Sequence, residues 1–247
     1  MSHLVWDRLK DRSYETGTDR GVLYPMENDG SYGIGIAWNG LTAVTENHTG
    51  GEPNAFWADN AKYLNLLSLE ELELTIEAYS YPREFKPCLG RAELAPGVEI
   101  SQQKRQGFAF SYRSLVGNAV DGNNWSYKLH LIYGCKASPT ERQYSTINES
   151  PEPVTLSWEV STLPVRIEGY KPTSEFVFDG PTYKKNGLMN VMRAIENVLY
   201  GDNENDPRIP TLYEIREIYV YERYLRDSDD DTLLDSDGKP LLSSVYD

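Results

Sequence analysis

The stretch that most constrains this chain is "ELELTIEA", in which Leu72, Leu74, Ile76 and Ala78 alternate strictly with Glu71, Glu73, Thr75 and Glu77. Strand side chains point to opposite faces with period two, so the pattern fits a strand with one buried and one wetted face. A helix, with its 3.6-residue period, would scatter the same residues around its circumference. Further segments read the same way: "YGIGIAWNGLTAVTE", "GFAFSYRSLVG", "SYKLHLIYGCKA", "EPVTLSWEVSTLPVRI" and "SEFVFDG" are strand-like runs punctuated by Gly, Pro and Asn. Within the first of these, Asn39-Gly40 predicts a hairpin between the runs on either side. So many short strands predict a mainly β protein, an antiparallel β-sandwich or barrel.

One segment has a different period. In "NGLMNVMRAIENVLYGDN", Leu188, Val191, Met192, Ile195, Val198 and Leu199 make an apolar stripe at helical spacing. This predicts an amphipathic helix near residues 186–200, with Thr182 or Asn186 as its cap and Gly201 as its stop. Such a helix must lay its stripe on a sheet. "PTLYEIREIYVYERYL" suits either a strand or a short helix, and its β-rich centre predicts a strand. The reading is a single β domain over residues 1–226. Beyond it lies an acidic segment, 227–247, that is flexible or dependent on a partner. Residues 201–247 hold 13 acids and 5 bases, more than half of the net charge of −14.

That charge argues against a nucleic-acid-binding surface, which needs clustered Lys and Arg. Two cysteines make no disulfide scaffold, and the first residues contain no apolar leader core. No run approaches the apolar length of a membrane span, so the expectation is a soluble protein made in a cytoplasm, without membrane insertion. The Asn-X-Ser/Thr triplets at Asn47, Asn124 and Asn148 then read as chance matches.

Candidate chemistry is sparse. His130 and Cys135 share a strand-like run, but their odd separation puts them on opposite faces, beyond the reach a thiol–imidazole pair needs. "GIGIAW" has Trp38 where a dinucleotide loop needs its third glycine, and no helix follows. "DSDDDTLLDSDG", counted from Asp227, has Thr232 and Gly238 where a calcium loop needs Gly and Glu. Ser138 and Ser145 lie in the same region as His130 but on no nucleophile elbow. His3, His48 and His130 are too scattered for a zinc site. Carboxylates are plentiful, and nothing singles out a pair at glycosidase separation. Trp6, Trp38, Trp57, Trp125 and Trp158, with 18 tyrosines, suit core or subunit contact or, less well, stacking on sugars. No catalytic, cofactor-binding or metal-binding residue is expected.

Several strings nevertheless run in a known order. "TGTDRGVLYP", "GIAWNGLTAVTE", "FWADNAKYLNLLSLEELELTIEAYSYPREF", "GVEISQQKRQGFAFSYRSLVGN" and "YKLHLIYGCKASPTERQYSTINESPEPVTLSWEVSTLPV" together resemble the major tail tube protein of long, non-contractile-tailed bacteriophages. The helix followed by "PRIPTLYEI" extends the resemblance to about residue 216, and the acidic end beyond Arg226 falls outside the family's pattern. The resemblance implies a structural virion protein, not an enzyme. Its fold would be that of the tail tube and of the related type VI secretion tube, with one flanking helix and long interface loops. Subunits of this family form hexameric rings that stack into a tube around the tape measure protein, assemble in the host cytoplasm and conduct DNA into the host. The implied partners are further copies of the chain, the tape measure protein, tail completion and distal tail proteins, and DNA in transit without specific binding; no cofactor is implied.

Two surfaces follow as expectations. A DNA conduit is served by a lumen that repels phosphate over a Debye length of about 8 Å. Glu71, Glu73 and Glu77 are the expected lumen-facing acids, in a ring whose six copies would carry −84 in all. "TENHTGGEPNAFWADN", residues 45–60, is expected to be a long ordered loop at a ring or subunit interface, with Thr45, Asn54, Phe56, Trp57 and Asp59 in contact. In that picture the Tyr127, Leu129, Leu131, Tyr133 and Cys135 face packs inward, and Lys128 and His130 face the lumen or a neighbour. The competing readings are a carbohydrate-binding adhesin module of a phage tail tip and a hydrolase using two carboxylates.

Overall fold

A computed structural model describes residues 3–4, 6–9, 12–144, 146, 153–167 and 169–223. The acidic segment expected at 227–247, Ser145 and Asn148 lie outside the described residues. The strands, in chain order, are β1 (Ser13–Pro25), β2 (Ile36–Trp38), β3 (Leu41–Thr49), β4 (Pro53–Ala58), β5 (Ala61–Leu67), β6 (Glu71–Ala78), β7 (Ala92–Ala95), β8 (Val98–Ile100), β9 (Phe108–Asn118), β10 (Gly122–Ala137), β11 (Leu156–Thr162) and β12 (Glu175–Asp179). Three helices follow: α1 (Gly180–Lys185), α2 (Met189–Tyr200) and α3 (Leu212–Arg223). Two single 3-10 turns, Arg83–Phe85 and Pro87–Leu89, sit between β6 and β7. The protein is mainly β, its paired strands are antiparallel, and no closed barrel forms among the described residues. The chain divides into two compact units: residues 1–38, 109–131 and 175–247, and residues 39–108 and 132–174.

In the first unit the strand order is β2-β1-β9-β10, with β12 also paired to β10. β2 lies antiparallel on β1, Val22 opposite Ala37. Leu23, Tyr24, Phe110, Leu129 and Leu131 are fully buried, and Trp38 meets Phe110 edge-on at 5.6 Å. The expected helical stripe is present: Val191, Met192, Ile195 and Leu199 are buried in α2, each contributing roughly 2 kcal/mol of transfer free energy before entropy. The Tyr24 hydroxyl donates to the Leu199 carbonyl at 2.9 Å, which ties the end of α2 to β1. Arg113 on β9 grips Asp19 with two bonds of 2.8 Å and lies 4.4 Å from the centre of the Tyr127 ring. The Tyr127 hydroxyl donates to Glu196 of α2 at 2.9 Å. Burial first, then the Glu196 carboxylate, pushes that phenol up to about 12, so it remains a donor at neutral pH.

The helical boundaries differ from the sequence reading. Helix α1 precedes α2, with Asp179 at its N-cap position, Thr182 inside it and Asn186 closing it. The N-cap of α2 is Leu188, without a side-chain bond, so neither Thr182 nor Asn186 caps it; Gly201 does end it, at φ +76°. The run 212–223 is a helix, α3, and not a strand. Its start is a capping box: the Thr211 hydroxyl accepts from the Glu214 amide and Glu214 accepts from the Thr211 amide, both at 3.3 Å.

In the second unit the end of β10 (from Ile132), β11, β6 and β3 stand in that order. The alternation of β6 is realised as expected: Leu72, Leu74, Ile76 and Ala78 are buried. Opposite them on β11 stand Trp158, paired with Ile76, and Val160, paired with Leu74. Aromatic rings close the core edge-to-face, Phe85 with Phe108 at 5.3 Å and with Trp158 at 5.5 Å, and Tyr81 with Trp158 at 5.5 Å. Asn39-Gly40 does not make the expected hairpin: β2 pairs with β1, whereas β3 pairs with β6. The turn itself forms, with Gly40 at φ +79° and its carbonyl accepting from the Tyr79 amide at 2.8 Å. A sheet ladder decides a strand's partner, and the turn residues alone do not.

Candidate functional site

The three expected lumen acids share one surface. Glu71, Glu73 and Glu77 point away from the core of β6, Glu71 and Glu73 exposed and Glu77 partly so. Cross-strand partners share a face. Asn47 and Ser161 therefore flank Glu73, Thr45 and Glu159 flank Thr75, and Ala43 and Ser157 flank Glu77. Glu159, which sequence reasoning passed over, adds a fourth carboxylate. Lys136 stands at the β10 border of this face, paired with Ser161. None of the four carboxylates has an ion-pair partner among the described residues, so their charge projects into solvent.

The expected loop over residues 45–60 is not a loop. Thr45 belongs to β3, Asn54, Phe56 and Trp57 to β4, and Asp59 to the turn that joins β4 to β5. Asp59 and Asn60 both have positive φ, 50° and 61°, the conformation that a two-residue hairpin turn requires. At its base, the Ser68 amide donates to the Glu52 carbonyl and the Glu52 amide to the Ser68 hydroxyl, each at 3.1 Å. Gly50, at φ +83°, approaches the Leu69 carbonyl so closely that a Cβ would lie 2.0 Å from its oxygen. The result is a two-stranded arm whose residues are all exposed.

That arm is apolar on both faces. Phe56 pairs with Leu64 on one face, where Leu66 also lies, and Trp57 pairs with Lys62 on the other, where Leu67 lies. Trp57 and Leu67 are each 69% exposed and Tyr63, at an irregularity in the ladder, is 73% exposed. Exposed single apolar residues are ordinary, whereas here they form a contiguous set on both sides of one hairpin. Phe56 and Trp57 were expected at a contact; Tyr63, Leu64, Leu66 and Leu67, which come from the returning strand, were not.

His130 is not at a surface. It is 8% exposed, its ring stacked on Tyr112 at 4.5 Å and 6°, which corrects the expectation that it faces a lumen or a neighbour. The Ser114 hydroxyl lies 3.0 Å from Nε2, and Glu175 lies 3.2 Å from Nδ1. The order Ser–His–carboxylate is that of a nucleophile relay; in the neutral tautomer with its proton on Nδ1, that nitrogen donates to Glu175 and Nε2 accepts from Ser114. Its setting is different from a nucleophile elbow: Ser114 lies inside β9, between β1 and β10, and not on a strand-to-helix turn. The arrangement braces β9, β10 and β12 against one another. No local signal marks Ser114, because only sheet pairing brings it to His130. Cys135 is buried and its Sγ lies 3.7 Å from the Ile132 carbonyl. Cys88 is buried as well, and burial pushes its thiol up to about 12, away from thiolate.

A second arm, β7–β8, is held by charge. Arg83 binds Glu93, Lys86 binds Glu99, and Arg91 reaches Glu99 at 3.4 Å. The hydrogen bonds from Arg83 and Lys86 hold the Glu93 and Glu99 carboxyls below the usual carboxylate range. Between this arm and the 3-10 turns is a cleft of about 380 Å³. No helix among the described residues is long and apolar enough to cross a membrane. No protein-family model matches the chain, and no curated protein matches its sequence.

Proposed function

We propose that this chain is a structural subunit that assembles with copies of itself, as hexameric rings stacked into the tail tube of a long-tailed, non-contractile phage. The observation that carries the self-assembly is the β4–β5 arm, apolar on both faces and covered by nothing in its own unit. Burying such an arm against a neighbour takes aromatic and aliphatic side chains out of water, the residue types in which interface cores are enriched. β3, at the end of its strand order, is a second place where a neighbour's backbone can pair. The tube itself rests on the resemblance of the ordered strings, and the β-rich antiparallel fold agrees with it.

In this reading Glu71, Glu73, Glu77 and Glu159 line the channel. Four carboxylates without ion-pair partners among the described residues repel a passing duplex, and Lys136 stands at the border of that face. The tape measure protein fills the channel before ejection, and tail completion and distal tail proteins cap its ends. The subunit's task is mechanical, with no catalytic residue, and its place is the virion tail after assembly in the host cytoplasm. Negative-stain electron microscopy of the purified chain, fresh and after concentration, tests this. Rings or tubes with a central channel are expected, with β6 facing the channel in a reconstruction. Uniform small particles at every concentration and ionic strength would overturn the assembly, and β6 on the outer wall would overturn the channel assignment.

A further inference from the structure

In a chain of net charge −14, the segment 83–105 is cationic: Arg83, Lys86, Arg91, Lys104 and Arg105 stand against Glu84, Glu93 and Glu99. The fold gathers four of these cations, Arg83, Lys86, Arg91 and Lys104, around the cleft beneath β7–β8, with only Glu93 and Glu99 opposing them there. Glu99 is shared by Lys86 and Arg91, so both keep N–H donors to spare. Lys104 makes no ion pair or hydrogen bond among the described residues. Arg105 adds a further charge beside the cleft: its guanidinium donates to the Ala137 carbonyl at 2.6 Å, and its Nε would lie 3.6 Å from a Cβ on Gly90. A cleft with surplus donors and a net positive lining takes a ligand carrying several carboxylates or other anions.

The same chain supplies one. Residues 227–237 hold six aspartates, Asp227, Asp229, Asp230, Asp231, Asp235 and Asp237, and no cation. We infer that the cleft between the β7–β8 arm and the 3-10 turns is the docking site for this acidic segment of a second copy. Every copy presents both the cleft and the segment, so the contact is heterologous and repeats from copy to copy, as closure of a ring requires. The pairs are exposed, so the contact is weak singly, additive over several aspartates, and screened by salt. The inference rests on the self-association reading only in supplying the second copy.

The test is fluorescence anisotropy of a dye-labelled synthetic peptide of residues 226–238. It is titrated with the full chain carrying Asp229→Asn, Asp230→Asn and Asp231→Asn, which keeps the chain's own segment from competing. Saturable binding is expected, weakening steeply as salt rises from about 0.05 to about 0.3 M. Arg91→Gln with Lys104→Gln in the same chain is expected to weaken it about tenfold, and Lys104→Gln alone about threefold. Because Lys104 holds no part of the arm in place, the single variant separates loss of the ligand from loosening of the hairpin. Absence of binding at low salt, equal binding of a peptide with all six aspartates as Asn, indifference to Lys104→Gln, or equal displacement by duplex DNA would each overturn the inference. Tubes without peptide binding would overturn it and leave the assembly reading intact; peptide binding by a chain that never assembles would overturn both the assembly and the second copy as the segment's source.

Discussion

Strand β6 and the β4–β5 arm lie within 30 residues of each other in one unit and are opposites in what they leave unfinished. In β6 every second side chain is apolar and buried, and the other side is carboxylate and hydroxyl. In the arm apolar groups occupy both sides, and all of them are exposed. A strand with a strict period of two can complete its burial with one covering layer. A hairpin with aromatic and aliphatic side chains on both faces needs a covering layer on each, and in the proposed assembly a second copy supplies it. The contrast teaches that the alternation which marks a core strand is missing where apolar side chains stay exposed on both faces.

The contrast is broken most forcefully on the core side. Trp158→Ala removes the ring against which Tyr81 and Phe85 pack edge-on. It is expected to lower unfolding free energy by about 4 kcal/mol in a urea titration. Next in size is Gly50→Ala at the base of the arm, where a left-handed φ and the close Leu69 carbonyl leave no room for a methyl group. It should cost about 2 kcal/mol and shift the arm, read as faster amide exchange over residues 53–67. The β7–β8 arm gives a local effect. The Glu93 and Glu99 carboxyls, lowered by their bonds to Arg83 and Lys86, favour the folded attachment above the ordinary carboxylate value of about 4.3. That attachment is lost as pH falls through the depressed values, so exchange over residues 92–100 should quicken below about pH 4 while β6 stays protected. Smallest is Phe56→Ser with Trp57→Ser, expected to change the urea midpoint by no more than about 0.5 kcal/mol of stability, because neither side chain is buried in the single chain.

What was legible in the sequence follows the same division. β6 and α2 were readable because a period of two and a period near 3.6 each describe burial within the chain. α3 reads as a strand because "IYVY" is rich in strand-forming residues; the better signal is the capping box from Thr211 to Glu214, with Pro210 just ahead of it. The arm reads as a loop in the sequence because its apolar residues follow no single-face period, although Asp59-Asn60 is a pair able to adopt two successive left-handed conformations. Asn39-Gly40 misled in the other direction, since a turn sequence carries no information about which strands the ladder joins. Ser114, His130 and Glu175 come together only through the neighbours of β10, a relation that no local window contains.

The account stands on the arm as the surface that completes the protein. The most direct measurement is sedimentation velocity of the wild-type chain and of the Phe56→Ser, Trp57→Ser variant across a concentration series. The account predicts that the wild type moves into faster-sedimenting species as concentration rises and that the variant, equally folded, remains a single chain. Indistinguishable sedimentation of the two at every concentration would contradict it.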